Sequence, residues 1–117
     1  FVEAHSFLAI VENKEIPSLK SLKVSEEAYI LGLLDCIGEL KRFVLDNIRN
    51  GELKKADRIF NVMENLYQTL YPFAMYDKIV REARRKLDVN RVLVEETRAV
   101  ITEEIRRNHF VKALTKK

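Results

Sequence analysis

Asp35 and Glu39 are the residues whose type and spacing most invite a chemical reading. They stand four positions apart in the apolar run YILGLLDCIGEL, Tyr29 to Leu40. On an α-helix such a pair shares one face, about 6 Å apart along the axis, and like charges there weaken the helix by a few tenths of a kcal/mol. Leu31, Leu34 and Ile37 predict a mostly buried helix, and no Lys or Arg sits one turn before Asp35. A carboxylate facing an apolar interior needs a cation, a hydrogen-bond donor or a proton. A divalent metal would satisfy both acids at once. The alternative is a solvated stripe, because Asp35, Glu39, Arg42, Asp46 and Arg49 follow one helix face with charge alternating further down.

The residues around the pair are more specific than its spacing. Tyr29 to Arg42 spell YxLGLxDxxGELxR, and Val2 to Phe7 spell VEAxSF. Together these resemble the translin family, and more closely its Trax branch, from Phe1 to about Arg107. The resemblance implies an all-helical chain in a hollow oligomer that binds single-stranded RNA, with single-stranded DNA as a further ligand. In the Trax branch it also implies RNA cleavage with Mg²⁺, Mn²⁺ being the alternative ion. Carried over residue by residue, the acids are Glu3 from VEA, Asp35 from GLxD and Glu39 from GEL, as catalytic and metal-binding groups. A further Glu of the pattern would fall immediately before Phe1. Translin-type relatives share the helices without these acids, so the resemblance also leaves open a nucleic-acid-binding protein without catalysis.

The elements that position these residues follow from composition and pattern. The 117 residues suffice for one domain, and three Gly and two Pro in that length suit an all-α antiparallel bundle with few turns. No apolar run reaches the roughly 18–20 residues of a membrane span, and no signal-peptide pattern opens the chain. The lone Cys36 has no internal disulfide partner and reads as a small core residue, which fits a reducing cytoplasm. Charge is uneven: residues 1–40 hold seven acids against three bases, and residues 41–117 hold eighteen bases against eleven acids. An acidic beginning beside a basic remainder suits a metal site next to a phosphate-binding surface.

Residues 1 to about 12 predict the end of a helix, with Phe1, Ala4, Leu8 and Val11 at helical spacing and no N-cap ahead. We therefore expect further helices upstream. His5, two positions from Glu3, points to another face and is expected to be an ordinary surface or core histidine. Residues 13–24 form a connector with Pro17. Ser25 is a good N-cap, and the helix it opens should reach Asn50 and stop at Gly51. Gly32 and Gly38 within it are expected to permit close approach of another helix near the acids.

A third helix is expected over residues 52–71, with Ile59, Phe60, Met63, Leu66, Tyr67 and Leu70 as its apolar stripe and Pro72 as its break. A long helix should follow from about Ala74 to Arg107, with Val80, Leu87, Val94 and Ile101 recurring every seven residues. Ile79, Ala83, Leu93, Val100 and Ile105 widen that face enough to serve a seam between subunits as well. Arg81, Arg84, Arg85, Lys86 and Arg91 read as its far side. With Arg42, Arg49, Lys54, Lys55 and Arg58 they are candidate phosphate contacts, with Arg42, Arg49, Arg84 and Arg85 the leading ones. Residues 108–117 are expected to fray. No zinc pattern, phosphate-binding glycine loop or Ser/His/Asp set points to another enzyme class.

Overall fold

Ser25 and Gly51 bound the central helix. The Ser25 Oγ accepts from the Ala28 N–H at 3.1 Å, and Glu26 and Glu27 place negative charge at the positive end of the helix dipole. At the other end Gly51 turns at φ +79°, a conformation that disfavours any side chain, while the Glu52 N–H returns to the Asn47 carbonyl at 2.8 Å. The computed structural model describes residues 1–76 and 81–115. Its helices are α1 (Val2–Val11), α2 (Leu19–Leu22), α3 (Glu26–Arg49), α4 (Leu53–Tyr76) and α5 (Arg81–Thr115), and the described residues contain no strand.

Helices α3, α4 and α5 pack on one another, and α1 lies across α3. Directions follow from the cross-links. Asp35 meets Lys86 and Lys41 meets Glu96, so α3 and α5 run the same way. Helix α4 runs against both: it leaves α3 through the tight turn at Gly51, and its Glu64 pairs with Arg98 of α5. The result is the expected all-α bundle, up, down, up. Ile37, Leu40, Val44, Ile59, Met63 and Leu87 form its dry centre, with Val94 and Ile101 further along α5. Each such side chain contributes about 1.5–3 kcal/mol relative to an exposed position. The seven-residue recurrence thus marks the core face of α5 over its described part, whereas Ile79 and Val80 lie outside the described residues. Val100 is exposed, so the seam expectation rests on Val89, Val92 and Val100 rather than on the core face.

Three boundary expectations need correction. Pro72 does not end its helix: α4 continues to Tyr76. A proline removes one helical hydrogen bond, here to the Gln68 carbonyl. Pro72 and Gln68 both lie on the exposed side, where water can serve that carbonyl, while Leu70 and Ala74 hold the same turn to the core. Ala74 accordingly belongs to α4, and α5 begins at Arg81. Residues 108–115 stay helical although most are exposed, because extending a formed helix is locally cheap once its nucleus exists. On α1 the buried side is Val2, Ser6, Ala9 and Ile10, while Phe1, Ala4 and Leu8 face outward. That helix is apolar on two sides, and its seat on α3 selects one of them.

Arg58 holds the α1 C-terminus in place. Its guanidinium donates to the Ile10 carbonyl at 3.2 Å and to the Val11 carbonyl and Asn13 Oδ1 at 3.4 Å each. The Ile10 and Val11 carbonyls lie in the last turn of α1, at the negative end of its dipole. Arg58 is therefore a structural cap of α1. Lys55 likewise lies over the Phe43 ring, 5.4 Å from its centroid.

Candidate functional site

Gly32 sets the position of the first acid. A Cβ there would stand 2.5 Å from Val2 Cβ and 3.4 Å from the Glu3 backbone nitrogen. Only a residue without a side chain lets α1 cross α3 this closely, and the crossing delivers Glu3 to the edge of the α3 acid face. Gly38 differs from the expectation: a Cβ there would find only Leu93 Cδ1, at 4.0 Å. It widens a cleft and does not seat a helix.

Around α3, at 100° per residue, Glu39 falls between Gly32, which faces α1, and Asp35 and Gly38, which face α5. The acid face thus opens between α1 and α5. Glu3 and Glu39 are half-buried and Asp35 is exposed. The apolar interior expected around Asp35 is therefore absent, because the buried side of this helix is Ile30, Leu33, Leu34, Cys36, Ile37 and Leu40. The cation that Asp35 lacks on its own helix comes from α5: Lys86 Nζ lies 2.6 Å from Asp35 Oδ1. One turn further along α5, buried Asn90 donates to the Leu34 carbonyl at 2.9 Å.

Leu34, Asp35, Gly38, Arg85, Lys86, Val89, Asn90 and Leu93 enclose a cleft of about 510 Å³. Lys86 is thus on the side of α5 that faces α3, not on its far side. The spacing offered a signal, since Lys86 stands seven residues before Leu93 and shares its register. Asn90 carried no comparable signal.

The basic candidates separate. Arg85 lines the cleft. Arg84 shares a seven-residue register with Arg91 and Arg98 on the α4 side of α5: Arg91 lowers the Tyr67 pKa against a net upward shift led by burial, and Arg98 pairs with Glu64. Arg42 is exposed on the acid stripe, one turn beyond Glu39, and the two form no ion pair. Arg49 is exposed in the last turn of α3, about 21 Å along the axis from Asp35. The structure thus brings Arg85 to Asp35, keeps Arg42 on the acid stripe, and sends Arg49 and Arg84 elsewhere. His5 is exposed and stacks edge-on against Phe1 at 4.6 Å. The side chain of Arg81 lies outside the described residues.

Cys36 reports on the same face from inside. Burial first, then the charges of Glu3 and Glu39, push its thiol up to about 12 from an ordinary 9.0. Both acids therefore direct their field onto one turn of α3. A thiol raised in this way stays neutral and unreactive at neutral pH. The native chain should react with a thiol reagent at pH 8 only as fast as it opens, and at full rate in denaturant. Because the folded pKa lies above the unfolded one, stability is unaffected below about pH 9 and falls as pH rises toward 12. Rapid labelling of the folded chain at pH 8 would contradict this burial.

The donors of the face are carboxylates, the oxygen chemistry that a hard divalent cation takes. Among the described residues no three His, Cys, Asp or Glu converge closely enough to hold an ion between them. What fits is a cation held by one or two carboxylates and water, as Mg²⁺ commonly is, with Asp35 and Glu39 as donors and Glu3 at their edge. A closed three-carboxylate cage does not fit.

This is a helical bundle with an acid face beside a basic cleft, and its fold has known relatives. The translin family model matches residues 1–101. An uncharacterized protein of Methanocaldococcus jannaschii is 46% identical over 98 residues, which is 83% of this chain and 44% of that protein. The crystal structure of AfC3PO and the structure of an AfC3PO–duplex RNA complex both superpose with a TM-score of 0.79, at 33% and 32% identity, over 91% of this chain and 56% of theirs. The chain spans about half the length of these relatives. It belongs to the translin family.

Proposed function

We propose that the chain is part of a Trax-like, metal-dependent endoribonuclease that binds RNA within a helical oligomer. The observation that carries this reading is the juxtaposition on α3 and α5: Asp35 lines a cleft whose other wall holds Arg85 and Lys86, and Glu39 follows one turn on along the same acid stripe of α3. Carboxylates beside cations suit a phosphodiester whose cleavage needs both. Mg²⁺, or Mn²⁺ in its place, would orient or acidify the attacking water and offset charge on the phosphate. Asp35 and Glu39 would hold it, with Glu3 positioning water from the α1 side. Arg85 and Arg42 would receive phosphate oxygens on either side of the acids. Support for RNA as ligand comes from the similar AfC3PO, described in complex with duplex RNA. Exposed Val89, Val92 and Val100 along α5 support association with further subunits, whether copies of this chain or a translin-type partner.

A second reading, RNA binding without catalysis, is favoured by the lack of three convergent acids among the described residues. Time courses on short single-stranded and duplex RNA, with Mg²⁺ and with chelator, separate the two. Chelator-sensitive cleavage, faster on single strands, is the expected result. Binding should weaken steeply with salt as counterions are released. Tight binding with no cleavage in Mg²⁺ or Mn²⁺ would leave the second reading standing.

A further inference from the structure

Lys86 has a role that neither its basic character nor the acid motif supplies. Its Nζ stands 2.6 Å from Asp35 Oδ1, the oxygen a cation would need. The pair is neither sealed nor free: the Lys86 side chain is 27% exposed and that of Asp35 42%. Asn90, one turn on and buried, ties α5 to the carbonyl of Leu34, immediately before Asp35. That bond keeps the two helices together whether or not Lys86 keeps its contact. The lysine stem is flexible and its ammonium is a compact charge with donors only, so it can leave one acceptor while the backbone stays in place. Gly38 adds no side chain to the cleft beside the pair, and Leu93 approaches no nearer than 4.0 Å to where one would begin.

We propose that Lys86 is a built-in counter-ion that competes with a divalent cation for Asp35, so that the metal binds only by turning the ammonium out of the pair. The proposal rests on the reading of Asp35 as a metal ligand. It makes Lys86 a positioning residue with two stations: on Asp35 before the metal arrives, and in the cleft beside Arg85 afterwards. Arg85 lines the same cleft and carries the same charge, yet the ion pair of Asp35 is with Lys86. The two side chains therefore separate direct competition from the general field of a basic cleft.

The test is a calorimetric titration of the chain with MgCl₂. Lys86→Met should tighten Mg²⁺ binding about three- to fivefold, the upper part of the range that loss of a part-exposed ion pair allows. Lys86→Arg, which keeps the charge and can re-form the pair, should stay within about twofold of the parent chain on the same scale. Arg85→Met should shift affinity by less than about twofold. Asp35→Asn should remove the site in both the parent and Lys86→Met backgrounds. Equal tightening by Lys86→Met and Arg85→Met would overturn the proposal in favour of a general field. Unchanged affinity in Lys86→Met, with binding still lost in Asp35→Asn, would overturn it while leaving the metal reading intact. Binding that survives Asp35→Asn would overturn both.

Discussion

Gly32→Ala is expected to lower stability by about 1–2 kcal/mol, although the same change in an open helix would raise it by about 1 kcal/mol. The sign is what tests the packing. The added Cβ would meet Val2 Cβ at 2.5 Å and Val2 Cγ1 at 2.7 Å, both near the α1 backbone, where no flexible side-chain end can swing aside. Helix α1 has to lift from α3, and the cost is that of overfilling a close-packed contact. Gly38→Ala is the internal control. Its Cβ would find Leu93 Cδ1 at an ordinary 4.0 Å, so the gain in helix propensity remains and stability should rise by up to about 1 kcal/mol. Denaturant or thermal unfolding of the two variants would decide the matter, and equal shifts of the same sign would contradict the crossing at Gly32. Activity should follow the same division, since lifting α1 carries Glu3 away from Glu39 while Gly38→Ala leaves the acids in place.

How far the sequence reaches can be judged residue by residue. Ser25, Gly51 and the Leu87–Val94–Ile101 recurrence act through local bonds or one helix period, and each appears where the pattern put it. Pro72 misled because a local rule was applied where packing of Leu70 and Ala74 outweighs one exposed hydrogen bond. The surroundings of Asp35 misled for a different reason. Apolar neighbours in sequence occupy the opposite side of a helix as readily as the same one, and only the position of α5 reveals which. The pairing of Asp35 with Lys86 joins residues 51 positions apart, and no spacing within one helix predicts it. The family resemblance named Glu3, Asp35 and Glu39, but it said nothing of the lysine that meets one of them.

The largest functional effect is expected from Asp35→Asn and Glu39→Gln. Each keeps the shape and hydrogen-bonding capacity of its side chain while removing the charge that would hold a metal. Cleavage of RNA should fall at least about 10²-fold in either variant, the scale on which positioned catalytic groups act. RNA binding should persist or tighten, because a negative charge beside the phosphates has gone. Stability in chelator then distinguishes the two acids. Asp35→Asn breaks a part-exposed ion pair with Lys86 and should cost no more than about 1 kcal/mol. Glu39→Gln breaks no ion pair and relieves the repulsion four residues away, so it should stay level or gain a few tenths of a kcal/mol. A loss of about 3–5 kcal/mol would mark a sealed structural pair, which the 42% exposure of the Asp35 side chain argues against. The measurements are a melt in chelator, an RNA-binding isotherm and a cleavage time course for each variant. Cleavage at the parent rate in both would remove Asp35 and Glu39 from the reaction, whatever their effect on the melt.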